Sequence, residues 1–385
     1  MAAIVRPRLV HPTVRLLRRG FQTNRPNQQD YKLVKVADVE SFIERCMTKV
    51  GTTEAHARQL GQVLTAGDVR GHFSHGLNRL EMYVHDIQEG TTVYTGKPTV
   101  VKQTAATAFV DGNNLLGPVV GNFCMDLAIN KAKDVGVSWV VCKGSNHYGI
   151  AGWYTLRALE EGLIGISVTN TSPLVVPTRG RGVTLGTNPI SVAAPAQNGD
   201  SFVLDMATSA VALGKIEMNR RKDIPIPHGW GVDAKGLETL DPVDVLDRGG
   251  GQLPLGGTEL TSGYKGYGLA MMVEVLSGIL AGSAVGPDIR LWKGDPRTAN
   301  LGQCFAAINP AMFAPGYEDR MQRLMDHCRN MPPAEGEDGV LVAGDPERLH
   351  MRKVEQEGGI QYHVNLLDAL DKLADQLKVA PMPSQ

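Results

Sequence analysis

The chain reads as an α/β protein whose sheet is preceded by a helical region. Three observations predict this. Residues 137–168 run strand, helix, strand; residues 36–90 carry helical periodicity; and the 44 glycines sit in short connections, not in one tract. At 385 residues the chain has room for two domains, or for one with a large insertion.

Taken in order, Asp38 can cap a helix through Lys49, and Thr52 or Thr53 a second towards Asp68. Ser74 opens a third, running to about Gln88 and closed by Gly90. Thr104–Gly112 alternates and ends in the turn signal Asp111-Gly112-Asn113-Asn114. Val119–Val135 is a helix closed by Gly136. Val137–Cys142 is a buried strand, Lys143–Gly149 a polar loop, Ala151–Glu161 a helix and Leu163–Val168 the next strand. Ser201–Met206 is a further strand, after which Thr208 or Ser209 caps a helix through Arg221. Ile224–Pro254, rich in Pro and Gly, reads as a long ordered loop. Thr261–Gly268 leads into an apolar helix over Leu269–Leu280. Gln303–Ile308 is a last strand, and helices at Glu318–Arg329 and Asn365–Leu377 finish the chain. The expected division is a leader over 1–29, a helical substrate-binding domain over 30–115 joined by 316–385, and a central α/β domain over 116–315.

Charge and composition narrow the function. A net charge of −1 argues against a nucleic-acid partner. Five scattered cysteines without a CxxC suit small core residues in a reducing compartment. No run approaches the ~18 apolar residues of a membrane span, so a soluble protein is expected. Arg6, Arg8, Arg15, Arg18, Arg19 and Arg25 all precede the first acid, Asp30. That basic, acid-free stretch has the profile of a mitochondrial transit peptide and predicts a matrix location; a basic tail on a cytoplasmic protein is the alternative.

The segment from Asp68 to Leu80 carries the most chemistry. With a helix opening at Ser74, the backbone there would offer free N–H donors to a carboxylate or phosphate. His75, Arg79 and Tyr83 would share one face: an acid/base, a bidentate carboxylate clamp and a phenol. The bland reading is a solvated face. A metal-dependent hydrolase or lyase would use His72 and His75, but only Asp68 and Glu81 stand near enough to extend that ligand set, so no metal is assigned. His147 and the Asn170–Ser172 cluster fall at carboxyl ends of strands, where α/β sheets gather ligands, making His147 a second acid/base candidate. Asp205 ends another strand, placed for a ribose hydroxyl or an amide, or simply to cap a helix. Lys265 and Gly266 open a helix to which phosphate can come close. No GxSxG elbow and no strand-linked GxGxxG occur. The residues thus point to a small anionic substrate and a phosphate-bearing cofactor held outside an ordinary Rossmann motif.

Asp68-Val69-Arg70-Gly71-His72-Phe73-Ser74-His75-Gly76-Leu77-Asn78-Arg79-Leu80 resembles the signature of the non-Rossmann malate/L-lactate dehydrogenase-like oxidoreductases. Similar matches follow in family order: Ser145–Gly149 with Ala151-Gly152, Leu185–Pro189, Asp205–Ser209, Gly214–Ile216, Gly229-Trp230 and Lys265–Leu269. The resemblance covers nearly everything after the leader. It implies a non-Rossmann NAD(P)-binding α/β domain with a helical substrate domain, and a homodimer. It also implies reversible hydride transfer between NAD or NADP and a small 2-hydroxy/2-keto acid, with a cyclic ketimine carboxylate reductase as the close alternative. By position, Ser74, His75 and Arg79 would hold the substrate carboxylate and reacting oxygen, with Tyr83 beside them. His75 or His147 would transfer the proton, His75 being preferred for its shared face with Arg79. Thr171, Asp205, Met206 and Ala207 match cofactor-contacting positions, with Lys265 and Gly266 as weaker ones. In reduction an imidazolium should protonate the carbonyl oxygen. Arg220, Arg221 and Lys222 would favour NADP if they faced the adenosine ribose; cofactor choice stays open.

Overall fold

The computed structural model describes residues 30–292 and 295–383. The expected leader, 1–29, lies outside the described residues. The described chain opens with β1 (Tyr31–Val34), α1 (Val36–Lys49) and α2 (Glu54–Val69). Val39, Phe42, Ile43, Cys46 and Met47 of α1 recur at helical spacing and are buried. Thr53 caps α2 as expected, its hydroxyl accepting the His56 N–H. Asp38 does not cap α1; it sits inside the first turn, where its charge suits the helix dipole.

The helix expected from Ser74 does not form in one piece. Phe73–His75 and Leu77–Arg79 are two single 3₁₀ turns separated by an extended Gly76, and α3 (Leu80–Gln88) starts only at Leu80. The Leu77 N–H donates across to Asp68 Oδ2 at 2.8 Å. Ser74 is therefore no α-helix cap, the segment offers no full helix terminus to an anion, and His75, Arg79 and Tyr83 do not share one helical face.

The central sheet is built from β2 (Thr99–Gln103), β3 (Thr107–Asp111), then α4 (Gly117–Val135), β4 (Val137–Ser145), α5 (Gly152–Glu160), β5 (Ile164–Thr169), β6 (Ile190–Pro195) and β7 (Ser201–Met206). Gly136 closes α4 with φ 89°, a conformation that favours glycine. After β7 come α6 (Leu213–Arg221), β8 (Gly231–Val232), β9 (Glu238–Thr239), α7 (Pro242–Leu246), β10 (Gly251–Gln252), α8 (Gly263–Glu274) and β11 (Leu301–Ile308). Strand order is β2-β3-β4-β11-β5-β6-β7. β11 lies antiparallel between β4 and β5, so the expected strand–helix–strand unit exists but its two strands do not pair with each other.

Register places the functional loops. Leu301 faces Ser145, Gln303 faces Thr169, Val168 faces Ile190, and Ile190 faces Met206. The carboxyl ends of β4, β5 and β7 consequently share one sheet edge, which brings the His147 loop, Thr171 and the 205–207 segment to the same side.

Three further expectations change. The helix after β7 begins at Leu213, because the Thr208 hydroxyl bonds the Thr187 and Asn188 carbonyls and Ser209 bonds that of Val211. Ile224–Pro254 is not a loop but folds into a small sheet, β10-β8-β9, with α7. The apolar helix starts earlier, at Gly263, and passes into a π-helical turn over Val275–Ile279.

The chain ends with α9 (Tyr317–Arg329), α10 (Asp345–Glu357), β12 (Ile360–His363) and α11 (Val364–Leu377). β12 pairs antiparallel with β1. Leu367, Leu370, Leu373 and Leu377 of α11 join the same core as Phe42, Leu60 and Tyr154, each leucine contributing about 2 kcal/mol.

Candidate active site

Two imidazoles form the centre. His75 lies in the first 3₁₀ turn after α2, and His147 in the loop beyond β4. Their rings stack with centroids 5.6 Å apart and planes 18° from parallel. Each is half-buried. Burial, then the charges of Arg79 and His72, push His75 down to about 4. Burial, then His75 and Arg79, push His147 well below the usual histidine range. Both shifts favour the neutral ring in the ligand-free protein.

Neighbouring groups fix the rings. Ser74 Oγ lies 2.8 Å from His75 Nδ1, while the Ser74 carbonyl accepts from Arg79 Nε at 2.7 Å. Tyr83 Oη lies 2.6 Å from His147 Nδ1 and 3.2 Å from the His147 carbonyl; the Gly149 N–H approaches the same Nδ1 at 3.4 Å. Tyr83 is 2 % exposed and burial raises its phenol above the ordinary range, so it is a neutral hydrogen-bonding group facing histidine. Ser74, His75, Arg79, Tyr83 and His147 are thus brought together where the two 3₁₀ turns and α3 meet the His147 loop, not by a single helical face.

Trp292 was not foreseen; its ring meets His147 edge-on at 5.7 Å. Arg290 stands 5.0 Å over the Trp292 ring and pairs with Asp86 of α3 at 2.6 Å, with both members of the pair buried. Nothing in the local sequence signals this, because the partners come from distant segments.

The cofactor candidates divide. Thr171, Asp205, Met206 and Ala207 are half-buried at the shared sheet edge. The Thr171 hydroxyl accepts the Thr187 N–H at 2.9 Å, and a Cβ at Gly186 would overlap it, so that turn requires glycine. Asp205 Oδ2 accepts the Gly152 N–H at 2.7 Å at the start of α5. The capping role is therefore occupied, and among the described residues no donor reaches Oδ1. Gly266 packs on the Leu255 backbone, leaving no space for a side chain, whereas Lys265 is exposed. Arg220 is paired with Asp247 at 2.7 Å. Behind Thr171, the buried Glu274 accepts from Asn170 and Asn188, and Asn188 Oδ1 accepts the Thr171 N–H.

His72 and His75 have different partners: His72 Nε2 lies 3.5 Å from Glu347. Among the described residues no group of three or more His, Cys, Asp or Glu is placed to hold a metal ion. No helix among the described residues is long and apolar enough to cross a membrane.

Residues 34–371 match the model of the malate/L-lactate dehydrogenase family. The chain belongs to that family. This family member is similar to the malate dehydrogenase of Pyrococcus abyssi, at 39% identity over 354 residues, covering 91% of this chain and 96% of the relative. It is similar to the malate/(S)-sulfolactate dehydrogenase of Methanothermus fervidus, at 36% identity over 348 residues, covering 90% and 98%. The solved malate dehydrogenase of Pyrococcus horikoshii superposes with a TM-score of 0.84 at 36% identity, covering 92% of this chain and 97% of that one. Family membership makes the protein a malate dehydrogenase-like oxidoreductase on a non-Rossmann α/β fold.

Proposed function

We propose that the protein catalyses reversible hydride transfer between NAD or NADP and a small 2-hydroxy/2-keto acid of the malate type. The observation that carries this reading is the neutral imidazole pair beside Arg79 at the sheet edge where β4, β5 and β7 end. A guanidinium matches a carboxylate bidentately, and an unprotonated imidazole has a lone pair with which to accept a proton.

In the oxidation direction Arg79 holds the substrate carboxylate. His147 takes the substrate hydroxyl proton, with Tyr83 Oη at 2.6 Å from Nδ1 holding its ring in place. His75, held at Nδ1 by Ser74 Oγ and stacked on His147, is a second hydrogen-bonding group for that oxygen. Reduction reverses these transfers. The chemistry fits a nicotinamide coenzyme, which when bound supplies or accepts the hydride; Thr171, Asp205 through Oδ1, Met206 and Ala207 would hold it, with Lys265 free at the surface. Arg79 also tunes the base. A bound carboxylate offsets its charge, so substrate binding raises the histidine pKa values towards the range where proton exchange is easy.

The names of the malate and sulfolactate dehydrogenase relatives support the 2-hydroxy acid class. We further propose a homodimer, to be checked by light scattering, and a matrix-targeting leader over 1–29, to be checked by N-terminal sequencing of the mature protein.

The test is a spectrophotometric screen with NADH and NADPH against oxaloacetate, pyruvate, other 2-keto acids and a cyclic imine, with Arg79→Ala and His147→Ala alongside. Turnover of a 2-keto acid that collapses in both variants is expected. Turnover of the imine alone would replace the substrate class with a ketimine. No turnover and no coenzyme binding would overturn the reading.

A further inference from the structure

The turn that carries His75 and Arg79 is anchored from behind by one carboxyl group. Asp68, in the last turn of α2, is fully buried. Its Oδ2 accepts two hydrogen bonds, from the Leu77 N–H at 2.8 Å and from the Tyr362 hydroxyl at 2.6 Å. Tyr362 comes from β12, close to the other end of the chain. Its ring also meets Phe73 edge-on at 6.1 Å. Asp68 Oδ1 has no hydrogen-bond partner among the described residues and presses against Gly76, where any Cβ would overlap the carboxyl. Gly67, one residue earlier, backs onto the His75 carbonyl, at 3.2 Å from where its own Cβ would stand.

We propose that Asp68 and Tyr362 form a positioning pair that sets the backbone register of residues 75–79, so that the C-terminal strand holds the candidate substrate clamp in place. The pair breaks the helix at Gly76 and directs His75 and Arg79 towards His147. A continuous helix from Ser74 would turn the Leu77 N–H, its third helical donor, towards the Ser74 hydroxyl and leave Asp68 without its backbone donor. The carboxyl is retained at some cost, since burial outweighs its two hydrogen bonds and pushes it up to about 7. An apolar residue there would fill the space more cheaply but would not hold the Leu77 amide. The inference rests on the reading that His75 and Arg79 serve the site.

Tyr362→Phe, which removes only the hydroxyl, and Asp68→Ala, which removes the acceptor, are compared with the wild-type chain by hydrogen–deuterium exchange and by steady-state kinetics on the best 2-keto acid. Exchange in the peptide over 72–80 should rise about tenfold in both variants, while α1 and β4 exchange as in wild type. kcat/KM for the keto acid should fall about tenfold, with the coenzyme KM within about twofold. Unchanged exchange over 72–80 overturns the pair, whatever the activity. So does faster exchange with unchanged kcat/KM in an enzyme that Arg79→Ala disables. If Arg79→Ala leaves turnover intact, the functional reading of the site fails instead, and the exchange result still decides whether the pair holds the turn.

Discussion

The imidazoles of His75 and His147 lie stacked 5.6 Å apart although one follows α2 and the other follows β4. Two such rings cannot both carry charge without strong mutual repulsion, and the adjacent Arg79 guanidinium disfavours even the first proton. Burial and Arg79 keep the rings of the free enzyme from holding a proton. An anion in the clamp would offset Arg79 and let a ring take one up.

This sets the pH profile. For oxidation of a hydroxy acid, kcat/KM should stay level as pH falls through 6.5 and decline only well below it, because burial, His75 and Arg79 hold the base below the ordinary histidine range. The acid limb of kcat should lie at higher pH than that of kcat/KM, since bound carboxylate offsets Arg79. Initial rates across pH 4–8 test both points; a kcat/KM limb centred on 6.5 would refute the depressed pair.

Stability carries the same signature with a definite sign. A histidine whose folded pKa is lowered binds fewer protons in the native state, so its contribution is present above its ordinary value of 6.5 and is lost as pH falls towards about 4. His75→Gln removes that penalty. Relative to wild type, the variant should gain stability between pH 7 and about pH 4.5, as measured by urea unfolding. A difference independent of pH would mean that His75 is not held neutral.

Tyr83→Phe leaves the ring and its packing but removes the hydroxyl from His147 Nδ1. Loss of its hydrogen bonds to His147 Nδ1 and the His147 carbonyl should cost roughly 1–3 kcal/mol in folding. The catalytic effect should be roughly tenfold or more in kcat, with KM for the acid nearly unchanged. If KM rises while kcat holds, Tyr83 binds substrate and does not orient the base.

Asp86 and Arg290 make a buried pair that anchors the Trp292 segment to α3. Removing one partner leaves a buried charge alone and should cost roughly 3–5 kcal/mol, whereas an apolar pair of similar volume is tolerated better. Asp86→Ala should therefore unfold at clearly lower urea than wild type, and Asp86→Leu with Arg290→Met should recover much of the loss. Additive damage in the double variant would argue against the pairing.

Much of this is legible in the sequence where the deciding forces are local. β7 reads correctly as Ser201–Met206 because its pattern is bounded by turn residues, and α4 ends at Gly136 because only a residue tolerant of positive φ continues there without strain. α10 is not legible: Val354 is its one buried residue, so it carries almost no apolar stripe. Ile224–Pro254 hides its small sheet because strands of two residues have no periodicity to read. At the site, residue type alone selects His75, Arg79 and His147. Their arrangement depends on the break at Gly76, where the Leu77 N–H reaches Asp68, and on Tyr362 and Trp292 arriving from far along the chain.

The place of β11 has a consequence for synthesis. On the ribosome β4, α5 and β5 emerge early, yet the strand that joins β4 to β5 is made only when the chain reaches Leu301. Until then both strands present open edges that invite pairing with other chains. The middle of the sheet is among the last parts to be delivered, which makes folding wait on long-range contacts and favours chaperone protection during translation. A chain cut short before residue 301 would lose its centre and expose two sticky borders.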